Sequence, residues 1–312
     1  MTQTAPKYAM IFPGQGSQAV GMMADYADNA TVQLTFEEAS DTLGFDVWAL
    51  LDDETRLHET EYTQPALVTA SIALWRMLQK VLPYPPSYLA GHSLGEYSAL
   101  CASGVLALDD AVRLVHQRGK FMTDAVAGVD TQMAAVLGAS DEQVADLCRH
   151  ATQVAGLVDP ANYNSPGQVV IAGTEKGVAQ VLEDVQSLGK KSVPLKVSVP
   201  SHCALMKPAA TRLGELLLAT EFQNAKIPVI QNLTADICHD GDAIKEALIR
   251  QLSEPVQWAK TMDKLSDKHV TFLVECGYGN VLSNLAKRQA MPLPAFGTDK
   301  PLKLEKLREQ FS

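Results

Sequence analysis

The chain has 312 residues, 46% of them apolar and 20% charged, and carries a net charge of −10. That length exceeds what one hydrophobic core usually fills, so a large domain with a satellite is expected, and the ordinary composition excludes a disordered chain. The negative charge repels phosphate backbones and argues against a nucleic-acid partner.

Five scattered cysteines, Cys101, Cys148, Cys203, Cys238 and Cys276, form an odd set without a CxxC. They support neither a disulfide framework nor a zinc site. The first seven residues have no apolar signal core, and no apolar run is long enough to span a membrane, so the sequence reads as a soluble cytoplasmic protein.

In chain order, residues 8–12 read as a short apolar strand entering the glycine-rich loop Pro13-Gly14-Gln15-Gly16-Ser17-Gln18. A helix is expected after Thr63 as its cap, with Pro65 in its first turn, an apolar face through Leu67, Ala70, Leu74, Met77, Leu78 and Val81, and a stop at Pro83. Residues 88–90 read as a buried strand, 94–101 as the helix behind it and 110–126 as a further helix. Between 130 and 199 the pattern changes. Strands at 133–137, 157–164, 168–172 and 193–199 alternate with helices at 141–150, capped by Ser140, and 176–188. The order β-α-β-β-α-β is that of a ferredoxin-like unit, read as a small domain of residues 130–199 inserted into a larger α/β domain. The larger domain resumes with a helix at 207–219 and strands at 227–230, 271–274 and 295–297.

Gly91-His92-Ser93-Leu94-Gly95 fits G-x-S-x-G between a strand and a helix, the context of a nucleophile elbow. Side chains at Gly91 and Gly95 would collide with neighbouring backbone, and the tight turn lifts Ser93 above the sheet. The larger domain, residues 1–129 plus 200–312, is therefore expected to be α/β-hydrolase-like. The chance alternative is a plain Gly-Ser turn. Serine needs a base. Among seven histidines, His202 directly follows the last alternating strand, where an α/β enzyme presents loop residues. His58, His116, His150, His239 and His269 fall in polar surroundings and read as surface residues. His92 adjoins the nucleophile, where neighbouring side chains point apart, so it reads as a supporting residue. No acidic residue between Ser93 and His202 stands out as a triad member.

The helix at 110–126 carries an anomaly. Ala111, Leu114, Val115, Phe121, Met122 and Ala125 form its apolar stripe, and Arg118 falls inside that stripe, whereas Arg113, His116 and Lys120 lie on the other side. An arginine cannot discharge itself, so a buried one needs an anion. Either a protein carboxylate pairs with it, or it grips a substrate carboxylate with both arms of its fork.

Gly91-His92-Ser93-Leu94-Gly95-Glu96 resembles the GHSLGE signature of the malonyl-CoA:acyl carrier protein transacylases. Phe12-Pro13-Gly14-Gln15-Gly16-Ser17-Gln18, Thr63-Gln64-Pro65-Ala66-Leu67, Gln117-Arg118-Gly119, Asn162-Tyr163-Asn164-Ser165-Pro166-Gly167, Pro200-Ser201-His202-Cys203 and Pro255-Val256-Gln257-Trp258 resemble further landmarks of that family, in family order. Gly277-Tyr278-Gly279-Asn280 departs from the usual Gly-Pro-Gly. The resemblance implies an acyltransferase of fatty acid synthesis that moves malonyl from malonyl-CoA to the phosphopantetheine thiol of acyl carrier protein, by a ping-pong route through a malonyl-Ser93 ester. It implies a Ser93–His202 dyad oriented by the backbone carbonyl of Gln257, an oxyanion hole from the Gln15 and Leu94 amides, and Arg118 on the malonyl carboxylate. Asn162 and His92 count as supporting residues. It further implies no cofactor, no metal, no membrane or nucleic-acid partner, and a monomer. The competing readings are an esterase or thioesterase on the same elbow, which predicts an acidic third member and no buried arginine, a non-enzymatic scaffold, and an acyltransferase serving a polyketide synthase.

Overall fold

The computed structural model describes residues 6–197 and 199–311. Among them run ten strands: β1 (Tyr8–Phe12), β2 (Tyr88–Gly91), β3 (Thr131–Leu137), β4 (Val158–Ser165), β5 (Gln168–Thr174), β6 (Lys191–Pro194), β7 (Val229–Ile230), β8 (Ile237–Cys238), β9 (Phe272–Glu275) and β10 (Ala295–Gly297). They make two sheets. The larger has the order β10-β9-β1-β2-β7-β8, parallel except for the β7–β8 pair. Every residue of β1 is fully buried because helices cover both faces. Tyr8, Met10 and Phe12 point into one core cluster, and Ala9 and Ile11 into the other.

The smaller sheet has the order β4-β5-β3-β6 and is antiparallel throughout, the ferredoxin-like arrangement. Helices Asp141–Val154 and Glu175–Ser187 supply the apolar residues that cover one face. Ser140 caps the first with a capping box, as its sequence suggests. The opposite face packs Met133, Ala135 and Val170 against Cys203. A parallel bridge joins Asn162 to Val256, which brings two distant sequence landmarks together.

The last strand of this sheet is shorter than the alternation over 193–199 implies. It ends at Pro194, although Leu195 adds one more rung by donating to the Met133 carbonyl. Val193 and Val197 are exposed, and Ser198 lies outside the described residues.

The helix expected after a Thr63 cap begins four residues earlier, capped at Glu59, and spans Thr60–Leu78. Thr63 is not its cap: its hydroxyl donates to the Leu57 and Glu59 carbonyls. Pro65 therefore lies inside the helix and offers no amide to the Glu61 carbonyl four residues back. His116 Nδ1 donates to that carbonyl instead, at 2.9 Å. This explains why His116 is half-buried beside Phe45 and Tyr62 rather than a surface residue, while His58, His150, His239 and His269 are exposed. Helix Leu108–Ala125 crosses Thr60–Leu78 closely at Gly119, where a Cβ would sit 2.5 Å from the Glu61 Cα. That approach carries the neighbouring Arg118 inward.

Candidate active site

The strand β2 ends in Gly91, and helix Gly95–Ser103 begins four residues later. A Cβ on Gly91 would lie 1.9 Å from the Gly95 carbonyl carbon, and one on Gly95 would lie 2.0 Å from the Phe12 oxygen. Only two glycines let the turn close against the end of β1. Ser93 takes φ of 53° at its apex, a conformation that costs a non-glycine residue energy and holds its hydroxyl clear of the sheet. Asn232 braces this turn from the segment after β7. Its side chain accepts the Ser93 amide at 2.6 Å and donates to the Gly91 carbonyl at 2.5 Å.

Ser93 Oγ lies 2.6 Å from His202 Nε2. On the far side of the ring, Nδ1 donates to the main-chain carbonyl of Gln251 at 2.8 Å, which leaves Nε2 free of a proton and able to accept one from serine. Burial holds the His202 imidazole down at about 3, with the Arg118 charge as the next cause, so the ring is neutral at ordinary pH.

The acceptor on Nδ1 differs from the expected one. Gln257 does not meet His202. It is the N-cap of helix Trp258–Asp267, its carbonyl accepts the Thr261 amide of that helix, and its own amide donates to the Asn232 carbonyl. That carbonyl also accepts the Thr261 hydroxyl at 3.2 Å, so both of its lone pairs are taken within the helix. Gln251 ends helix Gly241–Gln251, where a last-turn carbonyl has no intrahelical partner.

Arg118 is 1% exposed. Its Nη1 donates to Gln64 Oε1 at 2.9 Å, and its Nη2 lies 3.5 Å from both Ser93 Oγ and Gln251 Oε1. No carboxylate pairs with it among the described residues, and its Nε has no hydrogen-bond partner there. The guanidinium is thus a buried cation solvated by amides, with capacity left for an anion.

Gln15, His92, Ser93, Arg118, Asn162 and His202 line one cleft of about 110 Å³. Among the described residues, the Gln15 and Leu94 backbone amides donate no hydrogen bond, and Gln15 is anchored through its side chain to Thr60 at 3.1 Å. His92 lies 2.8 Å from Asn164 through Nε2 and meets the Trp258 ring edgewise, and burial lowers its pKa. Three participants escaped the sequence: Gln64, Asn232 and Gln251. Gln251 carried a readable signal, since Ile244, Ala247 and Leu248 place it on a buried helical stripe, the same anomaly that marks Arg118. No group of three or more His, Cys, Asp or Glu residues suited to a metal occurs among the described residues, and no helix there is long and apolar enough to cross a membrane.

The sequence profile of the acyl transferase domain matches residues 9–288. The malonyl CoA-acyl carrier protein transacylase of Escherichia coli strain K12 is 47% identical over 299 residues, covering 95% of this chain and 96% of that protein. Its namesake from Bacillus subtilis strain 168 is 42% identical over 303 residues, covering 96% and 95%. Among solved structures, FabD from Acinetobacter baumannii is similar with a TM-score of 0.95 and 48% identity, over 99% of each chain. A type II PKS acyl-carrier protein in complex with its malonyl-transacylase gives a TM-score of 0.94 and 44% identity, over 97% of this chain and 99% of the matched one.

Proposed function

Since the chain belongs to the malonyl-CoA:acyl carrier protein transacylase family, we propose that Ser93 and His202 carry out its malonyl transfer, with Arg118 selecting the acyl group. The enzyme is an acyltransferase. It moves malonyl from malonyl-CoA to the phosphopantetheine thiol of acyl carrier protein, in two half-reactions, and so supplies fatty acid synthesis. The observation that carries the assignment of residues is the 2.6 Å contact between Ser93 and His202 beside a buried guanidinium that forms no ion pair among the described residues.

In the first half-reaction Ser93 Oγ gives its proton to His202 Nε2 and attacks the thioester carbonyl. The Gln15 and Leu94 amides receive the oxyanion. Collapse expels the CoA sulfur, which takes the proton from His202, and leaves a malonyl ester on Ser93. In the second, the phosphopantetheine thiol gives its proton to His202 and attacks that ester, and the proton returns to Ser93 as it leaves. The malonyl carboxylate pairs with Arg118 throughout. That pairing offsets the Arg118 charge that helps to hold His202 unprotonated, so the base strengthens when the right substrate is bound. His92 and Asn162 shape the cleft beside the ester. The chemistry needs only side chains and the two substrates, without cofactor or metal. Five unpaired cysteines suit a reducing, cytoplasmic setting.

A hydrolase on the same elbow would call for a carboxylate on His202 and no buried arginine. Incubation with radiolabelled malonyl-CoA, with and without carrier protein, separates the two. Label should pass to the carrier thiol, with little free malonate when carrier is absent. Rapid malonate release irrespective of carrier would refute transfer.

A further inference from the structure

Glu96 closes the signature hexapeptide and is 2% exposed. Among the described residues it forms no ion pair. A carboxylate in the interior without a paired cation has to be held by donors. Glu96 has two: its Oε1 accepts the Asn232 amide at 3.2 Å, and its Oε2 accepts Gln251 Nε2 at 2.8 Å. Both of these residues also reach the elbow from distant parts of the chain. Asn232 grips the turn on either side of His92. Gln251 makes a second bond from the same Nε2 to the Ser93 carbonyl at 2.8 Å, turns its Oε1 toward Arg118, and gives its main-chain carbonyl to His202.

The Gln251 side-chain amide therefore bridges a cation and an anion, with its oxygen toward Arg118 and its N–H groups toward Glu96. Both charges favour that orientation, and the reverse one would set N–H against guanidinium and oxygen against carboxylate. Together with Arg118 and the Ser93 carbonyl, a pure acceptor at position 96 selects it. A protonated or amide side chain there would present a hydrogen to one of two donors.

We propose that Glu96 is a positioning residue for malonyl transfer, which as a carboxylate locks the Gln251 amide and through it sets the aim of His202 and the open fork of Arg118. The proposal rests on malonyl transfer at Ser93. The charged and titratable groups around Glu96 are Arg118 on the neighbouring helix, Tyr97 on its own helix, and His202 beyond Gln251. Burial outweighs the favourable bonds and the Arg118 charge and pushes the Glu96 carboxyl up to about 7. Its charge thus changes near neutrality, where that of His202 does not.

The test is single-turnover acylation by malonyl-CoA and by acetyl-CoA across the neutral pH range, on wild type, E96Q, Q251A and the double variant, with thermal melts. Malonyl acylation by the wild type should weaken as pH falls through the Glu96 titration. E96Q should lose roughly 10- to 100-fold, the scale of a charge-assisted buried hydrogen bond, with that acid limb gone and the preference for malonyl over acetyl narrowed. Q251A, which retains Glu96, should lose the same limb, and the double variant should fall little below Q251A alone. A folded E96Q acylating at the wild-type rate, or an acid limb that persists in Q251A, overturns the proposal, and the Q251A arm stands even if E96Q does not fold. A wild type that never takes malonyl onto Ser93 would count against the transfer reading itself.

Discussion

His202 Nδ1 donates to the main-chain carbonyl of Gln251 at 2.8 Å, in the place where a hydrolase triad has a carboxylate. A carbonyl fixes tautomer and ring orientation but brings no full charge to stabilise an imidazolium. In the proposed mechanism the proton passes through His202 without resting there, in keeping with a ring that burial holds at about 3.

His202→Ala should slow both half-reactions, by on the order of 10⁴ to 10⁶ in kcat by analogy with base deletions in serine enzymes. Rapid-quench measurement of acylation and of transfer to carrier protein checks it, and a wild-type acylation rate in the variant would move the role elsewhere. The same residue shapes stability. Its folded pKa lies below the unfolded one, so as pH falls below the unfolded value of about 6.5 the unfolded chain takes up a proton that the folded one refuses. The His202 contribution to stability should drop progressively from there toward pH 3, by roughly 2 kcal/mol at pH 5. Urea melts at a series of pH values should show a shallower acid slope in His202→Ala. Glu96, whose pKa is raised by burial, contributes the opposite slope to both proteins.

Ser93→Ala should abolish the covalent intermediate and reduce turnover by on the order of 10⁵ to 10⁶. Intact-mass spectrometry after mixing with malonyl-CoA should find one malonyl adduct on wild type and none on the variant. An adduct on Ser93→Ala would end the assignment.

Arg118→Ala loses a desolvated, charge-assisted pair with the substrate carboxylate. Such truncations cost about 2–5 kcal/mol, so malonyl kcat/KM should fall roughly 30- to several thousand-fold. Acetyl-CoA has nothing to pair with Arg118 and should be handled no worse than by wild type. Arg118→Lys should recover part of the loss, because an ammonium cannot present the planar fork. The contrast with a purely structural arginine is direct: there both donors would decline together and the melting temperature would drop.

Lys190, Lys191, Lys287 and Arg288 are exposed. Lys190 packs over Gly138, Gly138 donates to the Gly167 carbonyl, and Arg288 donates to the adjoining Gln168 at 3.0 Å, so Lys190 and Arg288 border one hairpin. Charge reversal at Lys190 and Lys191 should raise KM for the acidic carrier protein and weaken its salt dependence, while KM for malonyl-CoA stays put. Equal shifts in both would place docking on another face.

Much of this protein is legible from local sequence, because local sequence sets what short-range sterics and periodicity decide. The glycines flanking Ser93 permit only an elbow, the β-α-β-β-α-β order specifies the smaller sheet, and a 3.6-residue stripe exposes Arg118 as an arginine among apolar neighbours. Even there, one residue can redirect a side chain, as Pro65 recruits His116 into the interior. The rest depends on contacts that span much of the chain. Whether Gln251 or Gln257 orients His202 turns on which carbonyl a helix has already claimed, and no spacing along the chain records that. Glu96, Asn232 and Gln251 meet across 136 and 155 residues of sequence. Glu96 and Asn232 look like ordinary polar residues until folding removes the water around them, and only then does a buried carboxylate have to find its donors.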